Sequence, residues 1–194
     1  MHQFKYVIQF LIPLITQPAQ AWQYLVETDT DRSRPDQMQR NYYLPMLGFM
    51  SLVVFLCSAY HRVDTRMTFD VQYGMTEMVP LLVGYLVGPY VTVLLLRPLL
   101  VHWFDLPDPD HDRLHLFVFY STSFLVALEM LVAIIPGIRF FSFIFIYLVY
   151  ITFSGSESYV RVPHYKRWMF GIVSFLVIYF VPKLIIHLLQ KMQG

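Results

Sequence analysis

LHLFVFYSTSFLVALEMLVAIIPGIRFFSFIFIYLVYITF (residues 114–153) is an almost unbroken apolar run. About 20 helical residues cross a hydrocarbon core of roughly 30 Å, so a run of about 40 is either one helix twice too long or two spans. Pro136-Gly137 decides between them. Proline removes a backbone N–H and clashes with the preceding turn, and glycine beside it strengthens the break. The stretch therefore reads as a tight helical hairpin, with spans at 114–135 and 138–153 and Arg139 just past the turn.

Outward from this hairpin lie three further apolar blocks of similar length: 42–60, 79–96 and 168–189. The 194 residues are 57% hydrophobic and 14% charged, with mean hydropathy +0.51. An average soluble domain is about 45–50% apolar and about 25% charged. The excess sits in blocks, and only helices satisfy every backbone N–H and C=O within a single segment in lipid. The expected fold is all-α: a polytopic membrane protein with five transmembrane helices (residues 41–194), preceded by a region (1–40) of interfacial helices and a cytoplasmic linker. Tyr42, Tyr43, Tyr60, Trp103 and Trp168 lie near block ends, where amphipathic rings favour the interface.

Five spans put the termini on opposite faces. Lys5, Arg32, Arg34, Arg40, Arg97, Arg113, Arg161, Lys166 and Arg167 fall on the N-terminal side, and Arg62, Arg66, Arg139, Lys183 and Lys191 on the other. The positive-inside rule makes the N-terminus cytoplasmic. The expected location is the cytoplasmic (inner) membrane. The formal net charge of +1 offers no basic field for nucleic acid. Cys57 stands alone, so no intramolecular disulfide forms.

In the N-terminal region Phe4, Val7, Ile8, Leu11, Leu14 and Ile15 share one helical face. Thr16 is placed to cap a second helix, Pro18 to open it and Trp22 to anchor it at the interface. Ala19-Gln20-Ala21 fits a small-x-small cleavage rule, but Gln9 and Pro13 interrupt the preceding apolar run, so the segment reads as a retained helix.

Five spans, the Pro18-x-x-x-Trp22 helix, the Tyr120-Ser121 opening of the third span, the Ile135-Pro136-Gly137 hinge and Gly155 after the fourth span together resemble the Yip family of small membrane proteins. The prokaryotic branch is the closer likeness. The resemblance implies a five-span fold with a cytoplasmic N-terminus and a non-enzymatic role in organising membranes or protein partners. It implies no cofactor. The partners expected are the lipid bilayer and a second copy of the chain or another membrane protein.

Several residues stand out chemically. Gly84-x-x-x-Gly88 makes a flat helix face for close approach, either within the bundle or to a partner. Glu129 and Lys183 are charges inside the third and fifth blocks, each about 9 Å from the same end. Such charges pair or line a cavity, so the two are expected to meet, as a packing tie or as an ion or proton relay. A small transporter or channel is therefore the alternative function. The loop FDLPDPDHDRLH (104–115) carries Asp108, Asp110, His111 and His115. His111 and His115 have the i, i+4 spacing of a zinc-chelating helix face. However, Arg113 stands where a calcium loop needs glycine, and no third zinc ligand is evident. Aspartates that cap and favour the start of the third span account for the loop more simply. Tyr85, Tyr90, Tyr120, Ser121, Thr122 and Ser123 place hydroxyls on spans two and three, to bond neighbouring backbones or to line a polar cavity.

Overall fold

A computed structural model describes residues 11–28, 35–63, 66–104, 111–135 and 144–193. The Pro136-Gly137 hinge, Asp108, Asp110 and the first part of the expected fourth span lie outside the described residues. In chain order the helices are α1 (residues 11–16), α2 (Pro18–Thr28), α3 (Pro35–Met38), α4 (Leu44–Ala59), α5 (Val71–Phe104), α6 (His111–Ile134), α7 (Tyr147–Ser158) and α8 (Arg167–Gln193). A π-helical turn, Gln39–Tyr43, joins α3 to α4.

The fold is all-α, and four stretches are long and apolar enough to cross a membrane: Pro35–Ala59, Val71–Trp103, Asp112–Ile134 and His164–Gln193. They overlap four of the five expected blocks and extend beyond each at one end or both. α5 has 34 residues, about 51 Å at 1.5 Å per residue, against a core of about 30 Å. Hydropathy marks only the lipid-immersed part of a helix, whereas backbone hydrogen bonding carries the helix on through Gln72, Thr76 and Glu77 at one end and Arg97 at the other.

A two-stranded hairpin connects α4 to α5 and was not expected. β1 (Tyr60–Val63) pairs antiparallel with β2 (Arg66–Phe69), with Tyr60 opposite Phe69. Asp70 follows the hairpin, accepts the Tyr73 N–H at 3.1 Å and so caps α5.

α5 is the hub. It packs on α8, α4 and α6; α4 also packs on α6, and α7 lies between α8 and α2. The core these helices enclose is aromatic: Trp22, Tyr42, Tyr43, Tyr85, Phe117, Phe119, Tyr159 and Phe170 are all fully buried. Two expectations are corrected here. Tyr42 and Tyr43 do not line an interface belt. The π turn aims both rings inward, where Tyr42 meets Tyr120 at 5.3 Å and Tyr43 meets Phe119 at 4.8 Å. Tyr60, Trp103 and Trp168 remain outward and exposed.

The N-terminal helices are corrected too. Pro18 does open α2, as its fixed φ and missing N–H favour. Thr16 does not cap it; its hydroxyl turns back to the Ile12 carbonyl at 2.9 Å. Trp22 is no interfacial anchor either, being 0% exposed. Its ring lies against Phe117 and Tyr159, and its indole N–H donates to the Ile151 carbonyl at 3.0 Å. Burying an indole releases a large apolar area, and a nearby carbonyl acceptor removes the polar penalty. α2 is thus pinned to α7 by the bundle interior.

Candidate functional site

Three helices bring charge and hydroxyl groups together inside the bundle. Lys183 of α8 donates to Glu129 Oε1 of α6, and the Tyr85 hydroxyl of α5 donates to the same oxygen at 3.1 Å. Glu129 is 19% exposed at its side chain and Lys183 37%. The pairing follows from the register of α6 and α8. Phe117 and Phe170 meet near the starts of both helices at 5.8 Å, and Glu129 and Lys183 lie twelve and thirteen residues further on. An ionised carboxylate in an apolar span is held by a cation and a hydroxyl at once, an arrangement that offsets its desolvation.

The network continues through the backbone of Tyr85. Pro89 lies inside α5 and has no N–H to give the carbonyl four residues back, which is that of Tyr85. The Tyr43 hydroxyl donates to this carbonyl at 2.6 Å. A second link joins Tyr42 to Ser123 at 2.9 Å. Ser123 gives its one proton to the Tyr120 carbonyl at 2.6 Å, so Tyr42 donates and Ser123 accepts. Tyr90 donates to Gln39 Oε1 at 3.0 Å, and Thr122 bonds back to the Val118 carbonyl at 2.8 Å.

Gly84 and Gly88 face α8. A Cβ on Gly84 would run into the Ile186 side chain, and one on Gly88 would stand 2.7 Å from Pro182 Cγ. The GxxxG face is therefore occupied within the bundle, where it lets α5 and α8 approach backbone to backbone. At the other end of the bundle, Gly155 is the floor of the Trp22 site.

Of the loop residues, His111 is the first residue of α6. His115 stacks on Phe119 at 5.5 Å and meets the edge of Tyr90 at 5.8 Å. The described residues contain no group of three His, Cys, Asp or Glu side chains able to share a metal ion.

Sequence reasoning brought Glu129 and Lys183 together because charges are conspicuous in apolar blocks. It missed the Tyr43–Tyr85 link, although Pro89 was a signal: a proline in mid-span demands a substitute donor. It also missed the Trp22 site, whose acceptor lies 129 residues further on. No family model matches the chain, and neither a curated protein nor a solved structure does.

Proposed function

We propose that this chain is a five-span, non-enzymatic membrane protein of the Yip type that organises protein partners within the bilayer. α7 supplies the end of the fourth span. The N-terminus is cytoplasmic, and the protein resides in the inner membrane. One observation carries the reading. Two positions of the Yip likeness, Trp22 of the N-terminal helix and Gly155 after the fourth span, are far apart in sequence and touch in space, with Trp22 Cε2 where a Gly155 side chain would stand. A pattern whose separate members meet is one structural unit.

The inward polar groups tie helices to one another, whereas the outward faces are apolar: Leu94 and Leu184 are 72% and 60% exposed. These faces meet lipid or a partner helix. Photocrosslinking residues placed at Leu94 and Leu184 in native membranes test the role. A discrete protein adduct from one face is expected. Lipid adducts alone, at every outward position, would sink the proposal.

A second reading, an ion or proton relay, is favoured by Lys183, Glu129 and Tyr85 standing in sequence across α8, α6 and α5 while Lys183 keeps 37% of its side chain exposed. Proteoliposomes under a pH gradient distinguish it. Proton flux lost on Glu129→Gln supports a relay, and flux absent from the wild-type protein removes it.

A further inference from the structure

α7 and α8 are joined by a tight connection in which one residue has an unusual backbone. The Val160 N–H donates to the Gly155 carbonyl at 3.1 Å and the Val162 N–H to the Ser156 carbonyl at 3.0 Å, so the chain folds back over the last turn of α7. Pro163 keeps the residue before it, Val162, out of the helical region. The reversal therefore falls on Arg161, whose φ is 61°. Among the described residues no other non-glycine has a positive φ. A Cβ in this left-handed conformation crowds the carbonyl that follows, and glycine is the usual residue just past a helix end. The backbone here would accept glycine more readily than arginine, so chain reversal does not account for the guanidinium. An outlier of this kind points to a use for its side chain.

The neighbouring cations differ in what they do. Arg167 is committed to the fold: its Nε donates to the Val162 carbonyl at 3.1 Å and its Nη1 to Glu157 at 2.6 Å. Arg161 is exposed and belongs to neither the Arg167–Glu157 nor the Lys183–Glu129 pair. Lys166 Nζ lies 5.6 Å from the centre of the Tyr165 ring. From Glu157 to Trp168 the chain carries Arg161, Lys166 and Arg167 against the single carboxylate of Glu157. The level of this segment follows from α8. Its apolar block, 168–189, is about 33 Å long at 1.5 Å per residue, enough to fill a core of about 30 Å. Residues 161–166 then stand just outside the hydrocarbon. Tyr165 is 79% and Trp168 66% exposed, as rings at a membrane interface are, and Trp168 is fixed to the end of α7 by stacking on Phe153 at 4.4 Å.

We propose that the α7–α8 connection binds the headgroup of an anionic phospholipid, with Arg161 as the principal cation and Lys166 as a second. The phosphate of such a lipid lies at the level of residues 161–166, and its charge complements theirs. A guanidinium presents several N–H donors in one plane and matches phosphate oxygens well. Exposed Tyr165 and Trp168 add ring surface for the upper acyl chain and glycerol. The proposal rests on α8 crossing the bilayer, and on neither the number of spans nor a protein partner, so a failure of the crosslinking test leaves it standing.

Native mass spectrometry of the purified full chain in detergent, with equal amounts of phosphatidylglycerol and phosphatidylcholine added, measures which lipid is retained. One basic residue near a membrane surface favours an anionic lipid by about five-fold, so the wild-type chain is expected to retain phosphatidylglycerol in excess by at least about that factor. Arg161→Gly relieves the backbone and is expected to keep or raise the thermal midpoint while reducing the preference about five-fold. Should it fail to fold, Arg161→Asn carries the same test, since asparagine also tolerates the left-handed region. Lys191→Gln removes one charge at the other end of the bundle and is expected to leave the preference unchanged. Equal retention of the two lipids by the wild-type chain overturns the proposal and leaves an acidic protein segment as the occupant. A preference that survives the Arg161 substitution, or that Lys191→Gln reduces as much, overturns it as well, because the lipid then answers to net charge or binds elsewhere.

Discussion

A methyl group on Gly155 would stand 2.7 Å from Trp22 Cε2 and from Phe117 Cε2. Both atoms belong to rings packed among other rings, so neither yields cheaply. Gly155→Ala is expected to destabilise the fold by about 1–3 kcal/mol, the usual cost of overpacking. Trp22→Ala should cost about 3–5 kcal/mol through the cavity it leaves. Because the two residues share one contact, the double variant should lose less than the sum. Unfolding in mixed micelles measures all three, and a neutral Gly155→Ala would mean that the close fit is not maintained. At Glu129 and Lys183 the same logic applies to charge. Removing one partner strands the other in an apolar span, but Lys183 is 37% exposed at its side chain, so solvent screening reduces the loss. Glu129→Gln and Lys183→Met are each expected to cost about 1–2 kcal/mol, and together no more than the worse of the two. Strictly additive losses would show that the ion pair contributes nothing as a pair.

At the scale of the element, α5 shows what a mid-span proline demands of its surroundings. Pro80, Pro89 and Pro98 interrupt its hydrogen bonding, yet the helix runs on, and at Pro89 a neighbouring helix closes the gap. At Tyr85 the donor is Tyr43, at 2.6 Å. Tyr43→Phe should therefore leave a buried carbonyl unpaired, at about 1–3 kcal/mol. Pro89→Ala restores the helix's own N–H. In that background Tyr43→Phe should cost little, and the thermodynamic cycle between the two sites should give a coupling of about 1 kcal/mol or more. Equal costs in both backgrounds would show that the Tyr43 hydroxyl is not the substitute donor. The same element marks how far sequence reading reaches. The apolar centre of α5 was legible because lipid demands it, and its ends were not, because helix continues wherever backbone groups pair. The β1–β2 hairpin was illegible for a related reason: its strands have four residues each, too few to show an alternating pattern, and the stretch has no Asn-Gly or Asp-Gly. Glu129 and Lys183 were legible as a pair because register along parallel helices follows from counting. Trp22 was not, since its amphipathic spacing suits a lipid interface and a protein interior equally well.

For the whole molecule, contacts sort the helix ends. Trp22 of α2 meets Phe117 near the start of α6 and Gly155 near the end of α7. Phe117 in turn meets Phe170 near the start of α8. Tyr90, in the second half of α5, reaches Gln39, just before α4. One end of the bundle thus gathers α2, the starts of α4, α6 and α8, and the ends of α5 and α7, while the C-terminal end of α8 lies at the other. Arg40, Arg97, Arg113, Lys166 and Arg167 belong by sequence to the first end, where the positive-inside rule expects cytoplasm. In a five-span protein, α2 and the last turn of α8 then lie in different compartments. Cys57 is the only cysteine, so Cys57→Ser supplies a clean background for Gln23→Cys on α2 and Met192→Cys on α8, where Met192 is 83% exposed. With a membrane-impermeant maleimide, Met192→Cys is expected to label in intact spheroplasts and Gln23→Cys only after permeabilisation. Labelling of both from the same side would reduce the spans to an even number, and α7 would then be a helix packed on the bundle without crossing the bilayer.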